Sequence, residues 1–175
     1  QKIINIKIGI ARVHSARKEY AAARDTLKSL IALKGINPEL KQTLKIQLYD
    51  AYLRNDEFLR AEEGFDQFAS NYPQHTMAPY AIYRIGTIYA GKEQFEKARK
   101  KFEIVTLKYP ESDMYDKAIL SVGTQMINAG QYKEGVNYLY DFLKGDTSTA
   151  PSAPHMYLKI AETESKYLNN DIAAR

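Results

Sequence analysis

Apolar residues recur along this chain at helical intervals. Between positions 82 and 105, Ile82, Ile85, Gly86 and Tyr89 are spaced three, one and three apart, and Phe95, Ala98, Phe102 and Val105 three, four and three apart. Each set occupies one face of a helix of about 3.6 residues per turn. The segment Gly91-Lys92-Glu93 between them is short enough to force an antiparallel return, and Pro110 closes the second helix. The pattern predicts a helical hairpin.

The hairpin repeats with a period of 37 residues. Phe58, Phe95 and Tyr132 share a column, as do Ala61, Ala98 and Gly135; Phe65, Phe102 and Leu139; and Phe68, Val105 and Phe142. In the first helices Leu48, Ile85 and Val122 align, then Tyr49, Gly86 and Gly123, then Tyr52, Tyr89 and Met126; Tyr72-Pro73 returns as Tyr109-Pro110. A fainter copy precedes these, with Ile8, Ala11 and His14 on one helix and Tyr20, Ala23, Leu27 and Leu30 on the next. Tyr157, Ile160, Ala161 and Glu164 open a fifth, entered through the polar stretch Gly145 to Pro154. Helices are expected over 3–17, 19–34, 39–54, 57–71, 76–91, 94–108, 113–129, 132–144 and 154–168. No segment alternates with period two, so the expected fold class is all-α.

Small residues set the geometry within a hairpin. A glycine inside a helix costs about 1 kcal/mol relative to alanine, so Gly86 and Gly123 need a packing reason. A close helix crossing supplies one: Gly86 and Ala98 mark the contact, and Tyr89 and Phe102 fill the space beside it.

The sequence Ile82-x-x-Ile85-Gly86-x-x-Tyr89, then Phe95-x-x-Ala98-x-x-x-Phe102-x-x-Val105 and Pro110, resembles the tetratricopeptide repeat, with Ile82 where tryptophan is usual. The resemblance implies a right-handed α-solenoid of stacked antiparallel hairpins, about four and a half repeats in a single domain over 1–175. The repeats would cover 3–37, 38–74, 75–111 and 112–148, with a partial one over 149–175. The period of 37 and the phrase Phe65-x-x-Phe68-x-x-x-Tyr72-Pro73, returning as Phe102-x-x-Val105-x-x-x-Tyr109-Pro110-x-Ser112, are similar to bacterial envelope proteins of the BamD and YbgF type. That likeness implies a periplasmic or outer-membrane-associated scaffold; a cytoplasmic repeat protein is the alternative.

Composition narrows the chemistry. The 175 residues include no cysteine, which removes disulfides, thiolate nucleophiles and cysteine-based zinc sites. The three histidines, His14, His75 and His155, are far apart and have no metal-ligand spacing. No Gly-x-Ser-x-Gly elbow or phosphate-cradling loop is present, so neither an enzyme nor a cofactor or metal site is expected. The net charge of +4 comes from 25 basic residues interspersed with 21 acidic ones, without the aromatic interleaving of a nucleic-acid binder. No apolar run approaches a membrane span. The chain begins at Gln1 without a methionine and stops at Arg175 where a helix is starting, which reads as a fragment of a longer protein with any lipid anchor outside it.

In stacked hairpins the first helices line a concave groove. By the repeat register the residues facing it are Asn5, Arg12, Gln47, Asp50, Arg54, Tyr80, Tyr83, Arg84, Thr87, Thr124 and Asn128. Tyrosine and arginine dominate interface hot spots, and Tyr80, Tyr83 and Arg84 cluster on one helix; the competing reading is that the two tyrosines pack between hairpins. The carboxylate clamp of chaperone-tail relatives finds Ile8 and Arg12 at its opening positions, which does not support that activity. Two functions remain open: a scaffold holding a protein or peptide in the groove, or a structural spacer or array that self-associates through open ends at Gln1 and Arg175.

Overall fold

The structure is a computed structural model that describes residues 2–145 and 150–168. Those residues form nine α-helices and no strand: α1 (Lys2–Ala16), α2 (Tyr20–Ile31), α3 (Pro38–Arg54), α4 (Phe58–Asn71), α5 (Ala78–Gly91), α6 (Phe95–Lys108), α7 (Tyr115–Asn128), α8 (Tyr132–Leu143) and α9 (Ala153–Thr163). The expected ends hold to within a few residues, and the hairpin pairs are those the period predicts. Residues 146–149 and the chain ends Gln1 and Arg175, which carried the linker and self-association expectations, lie outside the described residues. The helices gather into two compact units, 1–81 and 82–175.

One turn recurs in all four hairpins. Lys18, Asp56, Glu93 and Gly130 take positive φ, from 56° to 84°. Their amides donate to Ser15, Leu53, Ala90 and Ile127, and the next amides, of Glu19, Glu57, Gln94 and Gln131, reach back to His14, Tyr52, Tyr89 and Met126. This paired bonding is the Schellman ending, which satisfies the last carbonyls of the first helix. It uses up the very amide that starts the second helix, so the return is tight and antiparallel. Three of the four left-handed positions are not glycine, which hid the motif from a reading by residue type.

In the first unit α2 packs between α1 and α3, and α3 on α4. Its core joins Ala11, Leu27, Leu30, Leu44, Leu48 and Ala51. Glu57, at the α3–α4 turn, accepts from Arg24 of α2 at 2.6 Å, from Asn55 and from Arg60, tying the first hairpin to the second. In the second unit α7 packs against α6, α8 and α9, and Ile119, Val136, Leu139, Met156 and Ile160 share its core. The helix expected over 154–168 divides here. After Thr163 the chain widens into one π-helical turn, Glu164–Leu168, which lays Tyr167 flat on Tyr132 with centroids 4.0 Å apart.

Within hairpins a small residue meets a large one. A methyl placed on Gly86 would lie 2.5 Å from the Phe102 ring, and one on Gly123 would lie 2.6 Å from Leu139. The second hairpin swaps the sizes: Tyr49 stands in the glycine column and Gly64 of α4 makes room for its ring. Tyr49 then meets Phe65 edge-on at 5.6 Å. Phe102 and Ala98 are buried as expected. Tyr89 is only half-buried, with the Lys92 and Lys97 ammonium groups about 6 Å from its ring centre, so it closes the hairpin edge without filling the core.

Two outcomes test this packing. Gly86→Ala should lower the urea midpoint, because overpacking of about 1–3 kcal/mol outweighs the roughly 1 kcal/mol of helix propensity that alanine adds; Phe102→Leu in the same chain should recover part of the loss. The second outcome concerns acid. The bond from Arg24, then that from Asn55, holds the Glu57 carboxyl at about 2, below its ordinary 4.5. A depressed carboxyl stabilises the fold above its unfolded value and loses that contribution as pH falls toward its folded one. Between pH 4.5 and about 2 the urea midpoint should therefore fall less in Glu57→Gln than in the parent; Asp25, also lowered by Arg24, leaves a residual slope.

Candidate functional site

The residues expected to face a groove are distributed over both units. In the first, Arg12 of α1 and Gln47, Asp50 and Arg54 of α3 line one cleft of about 260 Å³. The three α3 residues share a face at intervals of three and four. Ala11, Leu27 and Ala51 give the cleft an apolar floor, and Ser15 and Tyr20 complete its wall. Arg54 extends over the Tyr20 ring, 5.8 Å from its centre. Asp50 is held in place from α5, whose Tyr80 hydroxyl donates to its Oδ2 at 2.6 Å, while the Tyr80 ring packs edge-on against Phe65. Arg12 and Arg54 are exposed, and no ion pair holds either guanidinium among the described residues.

In the second unit the expected residues do not converge on one feature. The Tyr83 hydroxyl lies 3.1 Å from Ser121 Oγ on α7 and its ring 5.0 Å from Phe102 on α6, so the residue packs between hairpins. Thr87 turns its hydroxyl back to the Arg84 carbonyl at 2.7 Å. Arg84 and Thr124 are half-buried, and Asn5 on α1 is exposed. Asn128, at the end of α7, lines a separate cleft of about 300 Å³ with Phe95, Tyr132, Lys159, Glu162, Lys166 and Tyr167.

Sequence reasoning missed Tyr20 in the first cleft and Phe95 and Tyr132 in the second. A signal for them existed, because an aromatic opens the second helix of every copy, at Tyr20, Phe58, Phe95 and Tyr132. Three of the four reach a cleft wall. Lys159, Glu162 and Lys166 had no such signal, since the fifth copy is partial.

A family model described as tetratricopeptide repeat matches residues 80–112, the third hairpin with its paired Gly86 and Phe102. Solved structures extend the likeness over nearly the whole chain. A Podosopora anserina protein described as a kinesin light chain with nearly identical TPR-like repeats is 17% identical, with a TM-score of 0.72 over 93% of this chain and 85% of that one. The chain belongs to the tetratricopeptide-repeat family. MamA from Desulfovibrio magneticus, residues 41 to the end, gives 18% identity and a TM-score of 0.69 over 98% of this chain and 89% of its own. A tetratricopeptide repeat protein from Parabacteroides merdae gives 15% and 0.70 over 95% and 62%. At these identities the likeness shows the fold, an α-solenoid. Residues 10–94 also match a second family model, YfiO, described as an outer membrane lipoprotein, so the narrower likeness is to that group. No curated protein matches the sequence. The tetratricopeptide fold is that of a protein-interaction scaffold. Among the described residues no helix is long and apolar enough to cross a membrane, and no group of three or more acidic or histidine side chains could hold a metal.

The contact at Tyr83 carries a measurable consequence. Tyr83→Phe should cost about 0.5–1.5 kcal/mol, and in a double-mutant cycle with Ser121→Ala the two changes should couple, because each removes the same hydrogen bond. Strict additivity in urea titrations would return Tyr83 to the open surface.

Proposed function

We propose that this tetratricopeptide chain is a non-enzymatic scaffold of the bacterial envelope, and that the cleft between α1 and α3 is where it holds an extended, acidic segment of a protein partner. The observation that carries the reading is the cleft itself. It sets two guanidiniums without an intramolecular carboxylate beside an apolar floor, with an aspartate fixed by Tyr80. A partner carboxylate would pair with Arg12 or Arg54, which present forked donors. An apolar side chain next to it would cover Ala11, Leu27 and Ala51. Gln47, whose amide both donates and accepts, and Asp50 would meet the backbone amides of an extended chain. Arg84, Thr87, Thr124 and Asn128 remain part of the proposed partner surface through the repeat register. Tyr83 supports that surface by packing.

The envelope placement rests on the outer membrane lipoprotein match over residues 10–94 and on the 37-residue period. Fractionating cells that express the full-length protein checks it, and recovery in the cytosol would refute it.

The binding test starts from an array of acidic peptides, from which the tightest binder is titrated against variants of matched helicity. Arg12→Ala and Arg54→Ala should each weaken it by about 2 kcal/mol if they are hot spots, and raised salt should weaken the parent likewise. Lys100→Ala, exposed on α6, should change little. Equal losses from all three changes would remove the cleft from consideration.

A further inference from the structure

The first helix leaves an apolar face open. Ile3, Ile6, Ile10 and Val13 follow one another at intervals of three, four and three along α1, and are 65%, 62%, 43% and 50% exposed. Matching the recurring turns, Lys18 to Asp56, places Ile6, Ile10 and Val13 in the columns of Leu44, Leu48 and Ala51 on α3. There the same face is 1%, 8% and 4% exposed, because α2 lies on it through Leu27 and Leu30. On α7 these columns hold Ala118, Val122 and Gln125, also buried, in a helix packed by α6. In the repeat this face is therefore the seat of a second-type helix from the neighbouring hairpin, and on α1 no described helix fills it.

Two features describe what fits there. Gly9, three residues after Ile6 and four before Val13, has nothing within 4 Å of where a side chain would start, leaving a hollow against the stripe like those that accept Phe102 and Leu139 within hairpins. The charge is one-sided: Lys2 and Lys7 flank the stripe, and α1 contains no acidic residue.

We propose that this face of α1 docks an amphipathic helix of a partner protein, one whose apolar stripe is flanked by acidic side chains. A second copy of α1 would oppose lysine to lysine. The chain's own second-type helices already have their stripes buried at Ala23 and Leu27, Ala61 and Phe65, Ala98 and Phe102, and Val136 and Leu139. The site is independent of the α1–α3 cleft, which uses other faces of the helix.

The test uses two helix-stapled, fluorescent peptides titrated by anisotropy against the full-length protein. One follows α4, with Ala61, Phe65 and Phe68 as its stripe and Glu62, Glu63 and Asp66 beside it; the other follows α6, with Ala98, Phe102 and Val105 flanked by Lys97, Arg99, Lys100 and Lys101. The acidic peptide should bind at least tenfold tighter than the basic one. Ile6→Glu and Ile10→Glu, whose parent residues are exposed and whose folding circular dichroism checks, should each cost at least tenfold, and Lys2→Glu with Lys7→Glu should invert the preference. Arg12→Ala should leave this binding unchanged. Absence of binding, or equal binding of both peptides, overturns the proposal. So does binding to residues 1–175 that disappears in the full-length protein, which would show the seat filled from the same chain. A homo-oligomer that Ile6→Glu turns into a monomer overturns it in favour of a second copy.

Discussion

The structure depends on one constraint, that two helices joined by a minimal turn must approach closely enough to exclude water between them. In each well-marked hairpin the approach is made by a size complement: glycine against phenylalanine at Gly86 and Phe102, glycine against leucine at Gly123 and Leu139, tyrosine against glycine at Tyr49 and Gly64. What is conserved along the chain is the sum of the two side chains, since the space between helices is filled at near-crystalline density. Which helix carries the small residue is free to change. This explains why the second hairpin can break the glycine column and keep the geometry.

The turn makes that approach obligatory. With a Schellman ending at Lys18, Asp56, Glu93 and Gly130, the first helix stops and the second starts on successive residues. A side chain in the left-handed region costs roughly 1–2 kcal/mol, and three of the four turns accept that cost. The paired bonds to otherwise unsatisfied carbonyls and the buried stripes of both helices offset it. Because every hairpin turns alike, the first helices present equivalent faces in each copy. One face packs on a second-type helix, and an adjacent one carries Arg12, Gln47, Asp50 and Arg54 in the first unit.

Function then follows from which side chains on those faces remain unsatisfied. Tyr83 and Thr87 stand in groove-facing columns, yet their polar groups are bonded within the chain. Arg12 and Arg54 stand in equivalent columns with no ion pair among the described residues, beside an aspartate that Tyr80 immobilises. Repeat position alone does not separate these cases. A guanidinium over an apolar floor is available to an incoming carboxylate, whereas a hydroxyl already 3 Å from another oxygen contributes to stability first.

The amino-acid sequence by itself determined the helices, the hairpin pairing, the repeat and the family, because each depends on local periodicity: apolar residues three and four apart, a proline after each second helix, one small residue per crossing. It also placed Arg12, Gln47, Asp50 and Arg54 on one surface, since a fixed register carries a helical face from copy to copy. Tertiary structure alone decided the rest. That Tyr83 reaches Ser121, that Tyr80 reaches Asp50, and that Tyr20 walls the cleft are matters of side-chain reach between helices, which a period of 37 does not encode. The exposure of Ile3, Ile6, Ile10 and Val13 belongs to the same class. Their spacing reads as a buried stripe like that of α3, and only the absence of a described helix above them distinguishes the two.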